Sequence, residues 1–193
     1  MGRPRGQTRG RVVAAALESL KTRGYAGTST RAIAAAGGFQ PGLIFYYFDS
    51  LDDLLLAALE QSSTERLERY RLAVEGAGSA AELLGVLRAI YDDDVASGHI
   101  RVVSELVGAS VSNDELRPRV LELMRPWLDL AERGVQDAVT GTPLEPLVPV
   151  RAAAFAVVTF YLGANLLTHL EGESAEVATL LELAARLAPA LES

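Results

Sequence analysis

The side chains best suited to recognition chemistry are concentrated in residues 34–48, AAAGGFQPGLIFYYF. This stretch holds five of the eleven Phe and Tyr residues of the chain, together with three glycines and a proline. If Ile44 and Phe48 point inward on a helix, the 3.6-residue period turns Gln40, Leu43, Tyr46 and Tyr47 to other faces. A face of amide, hydroxyl and apolar groups with little negative charge is one that the major groove of DNA would accept.

Two short helices can present such a face. One is predicted over residues 29–36, with Thr28 as its N-cap and Gly37-Gly38 at its end, and the other over residues 41–48, where Pro41 suits the first helical position. Helices of about eight residues are too short to be stable alone, so they need a shared core. A longer helix predicted over residues 9–23 provides its partner surface. The arrangement has the geometry of a helix-turn-helix. The residues expected to build the shared core are Ile33, Phe39, Ile44 and Phe48.

The rest of the chain also has helical periodicity, and no window shows sustained alternation of apolar and polar residues. We therefore expect an all-α fold: a three-helix head, a connecting fourth helix and a larger helical body. Capping-box spacing at Ser50/Asp53 and Ser79/Glu82 marks two helix starts, and Ser112 with Glu115 a third. Pro126 predicts a kink or break. The further helices are predicted to run from 50 to 74, 80 to 96, 100 to 111, 113 to 140, 147 to 170 and 174 to 188.

Charge divides the chain in the same place. The net charge is −7, but residues 1–50 carry seven basic and two acidic side chains, a net charge of +5, and the remainder carries −12. A basic head is where a polyanion could dock. The chain has no cysteine, which excludes disulfides and is compatible with a reducing cytoplasm. The basic start lacks a following apolar segment, so it is not a secretory signal.

Residues 8–60 resemble the N-terminal DNA-binding domain of TetR-type transcriptional repressors. The matching positions are Gly24-Tyr25, Thr28-Ser29, Ile33-Ala34, Gly38, Gly42 and Phe45 through Phe48. The resemblance implies a DNA-binding domain at 1–50, with the helix-turn-helix at 29–48, and a helical effector-binding and dimerisation domain at 51–193. It implies a sequence-specific regulator, expected to be a repressor that a small apolar ligand releases from a palindromic operator in double-stranded DNA.

The resemblance also implies roles for individual residues. Thr30 would contact a phosphate, Arg31 a phosphate or a guanine edge, and Gln40 could pair with adenine. Tyr46 and Tyr47 would grip the DNA backbone. Two positions depart from the family pattern: Phe45 lacks the usual tyrosine hydroxyl, and Leu51 replaces a lysine. We expect a basic arm to compensate for that lost contact. The predicted DNA-binding set is Arg3, Arg5, Arg9, Thr30, Arg31, Gln40, Pro41, Gly42, Leu43, Phe45, Tyr46 and Tyr47.

Residues 152–170 contain no charged side chain. That length reaches the lower range for a membrane span, but three prolines precede the stretch and polar residues interrupt it. A helix that is apolar on nearly all sides is more often buried between neighbours. With the apolar stripe of the last helix, it would suit a four-helix bundle formed with a second copy. We therefore expect a homodimer through the last two helices and no membrane association.

The body also carries scattered side chains that could line an effector chamber or simply form core. These are Tyr91, His99, Met124, Trp127, Phe155, Tyr161 and Asn165. The sequence gives little support for an enzyme. Asp92, Asp93 and Asp94 are consecutive, so on a helix they point about 100° apart, cannot chelate one ion together and are expected to be solvated. We predict no catalytic residue, metal or cofactor. The alternative function is a helical ligand-binding or scaffolding protein without operator binding.

Overall fold

The computed structural model describes residues 5–171 and 175–191. This part of the chain consists of α-helices and their connections, without strands, which confirms the all-α prediction. The helices are α1 (Arg5–Arg23), α2 (Thr30–Gly37), α3 (Gly42–Tyr47), α4 (Leu51–Glu75), α5 (Ala80–Ser97), α6 (His99–Val111), α7 (Leu116–Val139), α8 (Val150–Glu171) and α9 (Ala175–Leu191).

The chain forms two compact units. Unit 1 takes in the chain as far as Glu65, together with Gly98–Leu123, and unit 2 takes in Arg66–Ser97 and the chain from Met124 onward. The DNA-binding segment predicted at 1–50 falls in unit 1, with the start of α4, all of α6 and the start of α7. The functional boundary at residue 50 remains a prediction.

In unit 1, α1 packs against α2 and α6. The predicted head core is present: Ile33 and Ile44 are fully buried, Phe48 is nearly so, and Phe39 is half-buried. Side chains from α1, α4 and α6 complete this core. Those with no exposed surface include Val12, Ala16, Leu20, Leu54, Leu55 and Leu106.

A glycine at the end of α1 fixes how the head meets α6. Gly24 has φ +69°, and a Cβ there would come within 2.6 Å of the Glu105 carboxylate. The same carboxylate accepts a hydrogen bond from the backbone N–H of Tyr25 at 2.7 Å. The Tyr25 hydroxyl donates to Asp52 in the first turn of α4 at 2.9 Å. Gly24 is therefore required twice, for its backbone conformation and for the close approach of Glu105.

Two predicted helix caps were wrong. The N-cap of α2 is Ser29, whose hydroxyl accepts from the Ala32 N–H at 3.2 Å. Thr28 is instead buried, and its hydroxyl donates to the Gly24 carbonyl. Asn113 caps α7 by accepting from Leu116 at 3.0 Å, whereas Ser112 ends α6.

Two other predictions about helix starts and interruptions have clear outcomes. Ser50 and Ser79 act as N-caps as predicted: their hydroxyls accept from the backbone N–H groups of Asp53 and Glu82. Pro126 lies inside α7 without breaking it. The predicted break is therefore absent, while the kink that the sequence offered as the other outcome remains a prediction.

In unit 2, α5 packs against α9. One apolar cluster joins Tyr91 with Ala164, Val177 and Leu181 from α8 and α9. A second cluster is built on Tyr70, Val74 and Leu130, with partly buried side chains around it. These surrounding side chains are Leu67, Leu83, Val86, Ile90 and Trp127.

Candidate nucleic-acid interface

The turn between α2 and α3 is fixed by two glycines and an arginine. Gly38 adopts the left-handed conformation, φ +65°, and its N–H meets the carbonyls that end α2. A Cβ on Gly37 would overlap the ring of Phe39. The Arg11 guanidinium donates to the Gly37 carbonyl at 3.0 Å, which ties α1 to the turn. The local sequence thus holds α3 at a defined angle to α2.

This arrangement leaves the predicted recognition face of α3 accessible. Phe45 is 56% exposed and Tyr46 is 59% exposed, while Ile44 between α3 and the core is fully buried. Gln40 is exposed, and its side chain makes no hydrogen bond within the described part of the chain. Leu43 and Pro41 are half-buried at the rim of the same surface. These residues, Gln40 to Tyr47 without Ile44, are called the α3 face below.

Gly42, the first residue of α3, differs from the two turn glycines. A Cβ added to it would meet no protein atom within 4 Å, and its φ is not in the left-handed region. Nothing in the fold therefore requires glycine at this position. A missing side chain on an exposed helix start leaves room for another molecule to approach the backbone closely.

The start of α2 precedes the α3 face by about ten residues in the sequence and supplies polar groups. Thr30 and Arg31 are its first two residues, and Arg31 is exposed without an ion pair in the described residues. The first N–H groups of a helix have no intrahelical partner and favour an anion such as a phosphate. The first N–H groups of α2 could therefore bind a phosphate.

The predicted basic arm has a different structure. Arg5 and Arg9 lie on α1, which begins at Arg5 and not at residue 9 as predicted. The contribution of these basic residues to DNA binding remains a prediction. Arg3 lies outside the described residues. The Arg9 guanidinium sits over the Phe48 ring, 4.9 Å from its centroid. This contact orients an exposed cation at the end of α3.

The predicted effector residues are distributed over both units. His99 is buried in unit 1, where its Nδ1 lies 2.9 Å from the Ser62 hydroxyl. In unit 2, the rings of Tyr91 and Tyr161 form an edge-to-face pair at 6.3 Å. Asn165 is 4% exposed and donates to the Tyr161 carbonyl, but its buried Oδ1 has no partner within the described residues.

The remaining three predicted effector residues have different surroundings. Trp127 packs against Tyr70, with ring centroids 5.9 Å apart. Met124 is half-buried on α7. Phe155 is 65% exposed, so in the single chain it does not line an enclosed chamber. The effector-binding role of the set remains a prediction.

A buried charged network in unit 2 was missed by the sequence analysis. Asp94 has no exposed surface; it accepts hydrogen bonds from Arg66 at 2.7 Å, from the Tyr70 hydroxyl at 2.6 Å and from the Tyr161 hydroxyl. Asp93 pairs with Arg66 and, at 2.6 Å, with Arg69. The expectation that all three aspartates are solvated was therefore wrong for Asp94.

Ionisation in this network follows its burial. Desolvation raises the pKa of Asp94, although its hydroxyl and guanidinium donors act in the opposite direction. The hydrogen bond from Tyr70 and the two nearby guanidinium groups lower the pKa of the half-exposed Asp93. Asp94 lies three residues after the buried Tyr91 on α5 and so continues its inward face. That spacing is the signal that could have identified it.

No group of three His, Asp or Glu side chains that could hold a metal ion occurs among the described residues. The structure combines an exposed α3 face on a basic head with a helical body that contains a buried polar network. These features define a helix-turn-helix DNA-binding protein with an all-α C-terminal body.

Comparison with known proteins gives the family. Residues 12–58 match the family model described as bacterial regulatory proteins, TetR family. The chain is similar to a TetR-family regulator from Cytophaga hutchinsonii, with a TM-score of 0.79 and 18% identity over 100% of this chain and 98% of that one. The N-terminal part of the chain thus matches the TetR family of bacterial regulatory proteins, which confirms the resemblance seen in the sequence.

Other similar proteins are named as regulators of fatty acid metabolism or degradation. The fatty acid metabolism regulator protein of Bacillus subtilis (strain 168) is 22% identical over 142 residues, 74% of this chain and 73% of that protein. The crystal structure of the regulator FadR from Bacillus subtilis in complex with stearoyl-CoA has a TM-score of 0.71 and 18% identity, covering 95% of this chain and 97% of that one. The fatty acid degradation regulator FadR from Bacillus halodurans has a TM-score of 0.77 and 18% identity, covering 96% of each chain.

Proposed function

We propose that this regulator binds a palindromic operator as a homodimer in the cytoplasm and represses transcription until a ligand with an apolar chain releases it. The observation that supports DNA reading most strongly is the α3 face, which is exposed, uncharged and part of the same basic head as the start of α2. The alternative, a helical protein without operator binding, gives no reason for this exposure of Phe45 and Tyr46.

The proposed contacts divide into base reading and backbone positioning. Gln40 and Leu43 would face base edges, where an amide can pair with adenine and a leucine can contact a thymine methyl group. Thr30, Tyr46 and Tyr47 would hold phosphates, and Arg31 a phosphate or a guanine edge. Gly42 would let the start of α3 approach the DNA closely. Phe45 has no hydroxyl to offer a phosphate, so we assign it an apolar contact.

The proposed dimer uses α8 and α9, whose outer faces are strongly apolar. By length and composition alone, Val150–Thr168 could cross a membrane, with a mean hydropathy of 1.6 and 17% of the segment buried. A second copy is the better cover, because a DNA-reading dimer places two heads on half-sites about 34–36 Å apart. The exposed large side chains are Phe155, Phe160, Leu166, Leu167, Leu170, Leu180, Leu183 and Leu187.

The ligand class is proposed from the relatives and from unit 2. A relative of similar fold was crystallised with stearoyl-CoA, which carries a long apolar chain. In unit 2, partly buried side chains around Tyr70, Val74 and Leu130 could separate to admit such a chain. Release requires that the ligand bind the DNA-free conformation more tightly than the DNA-bound one, since equal affinity shifts nothing.

Selection of duplexes from a random DNA library tests this proposal. A dimer predicts an enriched sequence with two-fold symmetry and half-sites separated by about one helical turn. Gln40→Ala should relax the preference at one symmetric pair of positions. Arg117→Ala is a matched control, because Arg117 is exposed and pairs only locally, with Asp114. An enriched sequence without symmetry would contradict the dimer; no enrichment would contradict operator binding.

A further inference from the structure

Unit 2 contains a cavity of about 390 Å³ where the end of α4, the start of α5 and the end of α7 meet. This volume lies within the range of about 300–1,000 Å³ typical of small-molecule sites. Its lining is apolar on the inner side and polar at the mouth. The lining residues are Val74, Ala77, Gly78, Ser79, Leu83, Gly134, Asp137, Ala138, Thr140 and Thr142.

The inner wall of the cavity is continuous with the apolar cluster of unit 2. Val74 and Leu83 belong both to the lining and to that cluster, which also contains Trp127. Gly134 contributes no side chain to the wall; a Cβ there would lie only 3.0 Å from a Val74 methyl carbon. An apolar chain in the cavity would therefore rest against the cluster and approach the neighbourhood of Trp127.

The hydroxyl groups at the mouth are already occupied by neighbouring backbone. The Thr140 hydroxyl donates to the Gln136 carbonyl at 2.7 Å, and Thr142 donates to Val139 at the same distance. Ser79 accepts from the Glu82 N–H as the helix cap. These groups fix the shape of the mouth and have little capacity for a ligand.

Asp137 is different, because its exposed carboxylate has no hydrogen-bond or ion-pair partner among the described residues. Arg133, one turn earlier on α7, forms no ion pair with it in the described part of the chain. Asp137 is the one charged residue in the lining, and the nearby Glu75 is already paired with Arg71. The charge at the mouth is therefore a single carboxylate, which attracts a cation and disfavours a polyphosphate group such as that of coenzyme A.

We infer that this cavity binds an amphiphile with an apolar chain and a single positive charge, the chain against Val74 and Leu83 and the charge beside Asp137. The inference rests on the proposed function, in which such a ligand acts as the effector. It differs from the stearoyl-CoA of the relative in the sign of the head-group charge.

The fluorescence of Trp127, the single tryptophan of the chain, provides the test. Three ligands with the same ten-carbon chain but different heads are compared below their micellar concentrations: decyltrimethylammonium, decanol and undecanoate. We expect saturable fluorescence changes with unchanged helical circular dichroism. The cation should bind about 2- to 5-fold more tightly than the alcohol, as expected for one exposed ion pair, and undecanoate should bind most weakly.

Variants separate the charge from the cavity. Asp137→Asn should remove the preference for the cation and leave decanol affinity unchanged, whereas Asp129→Asn, an exposed carboxylate on the same helix outside the lining, should change neither. Ala138→Phe should fill the cavity and abolish binding of all three ligands. Equal affinities for the three heads, or a cation preference that survives Asp137→Asn, would overturn the inference.

Operator binding is measured on the same samples. A protein that binds its selected operator but gives no saturable response to decyltrimethylammonium overturns this inference and leaves the proposed DNA binding intact. A protein that enriches no DNA sequence contradicts the proposed function, whatever the fluorescence shows. Release of the operator by the cation, absent in Ala138→Phe, is the result that supports both.

Discussion

Replacing Asp94 by asparagine should strongly destabilise the protein. Asp94 is fully buried and receives donors from Arg66, Tyr70 and Tyr161. An asparagine retains one acceptor oxygen but places an NH₂ group against a remaining donor, and it leaves Arg66 without its buried counter-ion. Breaking a buried ion pair from one side typically costs about 3–5 kcal/mol.

The cost at this site is reduced by a second carboxylate. Arg66 also contacts Asp93 at 2.7 Å, and its side chain is 16% exposed, so part of its charge remains compensated. We expect Asp94→Asn to lower the free energy of unfolding by about 2–4 kcal/mol. Removing the pair together with the buried hydroxyl that donates to it, in Arg66→Met, Asp94→Leu and Tyr161→Phe, should cost much less, since apolar replacement of a buried pair is often neutral.

Urea denaturation followed by far-ultraviolet circular dichroism measures these changes, with a constant m-value as the check that the transition is unaltered. Asp92→Asn is the neighbouring control: Asp92 is exposed and pairs with Arg88 only across one helical turn, so its loss should cost less than about 0.5 kcal/mol. The reasoning is refuted if Asp94→Asn costs no more than Asp92→Asn.

Three further perturbations separate the parts of the molecule. Gly42→Ala should change the free energy of unfolding by less than about 0.5 kcal/mol, because the added Cβ meets no protein atom, yet it should weaken operator binding about tenfold. Gly38→Ala, at φ +65°, should instead lower the free energy of unfolding by about 1–2 kcal/mol. Leu167→Lys should convert a dimer to monomers in sedimentation velocity, since it places a charge on the exposed face of α8; an unchanged sedimentation coefficient would argue against that interface. The Ser50 hydroxyl and Arg119 lower the pKa of Asp53 below its ordinary value of 3.8. The contribution of ionised Asp53 to stability is therefore present above that value and lost as the pH falls through the folded-state pKa. Asp53→Asn should remove this acid-sensitive contribution in urea melts at different pH values.

The head was predictable from the sequence because several local signals agree there. Glycine spacing, the short helical repeats and the apolar positions at Ile33, Ile44 and Phe48 all require the same arrangement, and the structure has it. The error at Thr28 is instructive: Thr28 and Ser29 are both good N-caps, and the choice depends on tertiary contacts. Thr28 is buried, and its hydroxyl lies 3.1 Å from the Ser19 hydroxyl and donates to the Gly24 carbonyl.

The sequence was sufficient to predict the helices of the body but not the buried network or the cavity that they form. Three consecutive aspartates look alike in sequence, yet only Asp94 falls on the inward face of α5, and its partners come from α4 and α8. No local pattern reveals partners 28 and 67 residues away. For the same reason the cavity at Asp137, assembled from three helix ends, was not foreseen.

The central claim is that the α3 face and the start of α2 read DNA. The most direct measurement is a salt titration of the affinity for the duplex that a random library yields. If Arg9 and Arg31, two of the exposed cations of each head, each neutralise one phosphate, a dimer neutralises four, and the slope of log affinity against log salt is about −4. The account predicts that slope, reduced by about two in Arg31→Gln, which removes one contact from each head. An affinity that does not depend on salt, or a library from which no sequence is enriched, would contradict it.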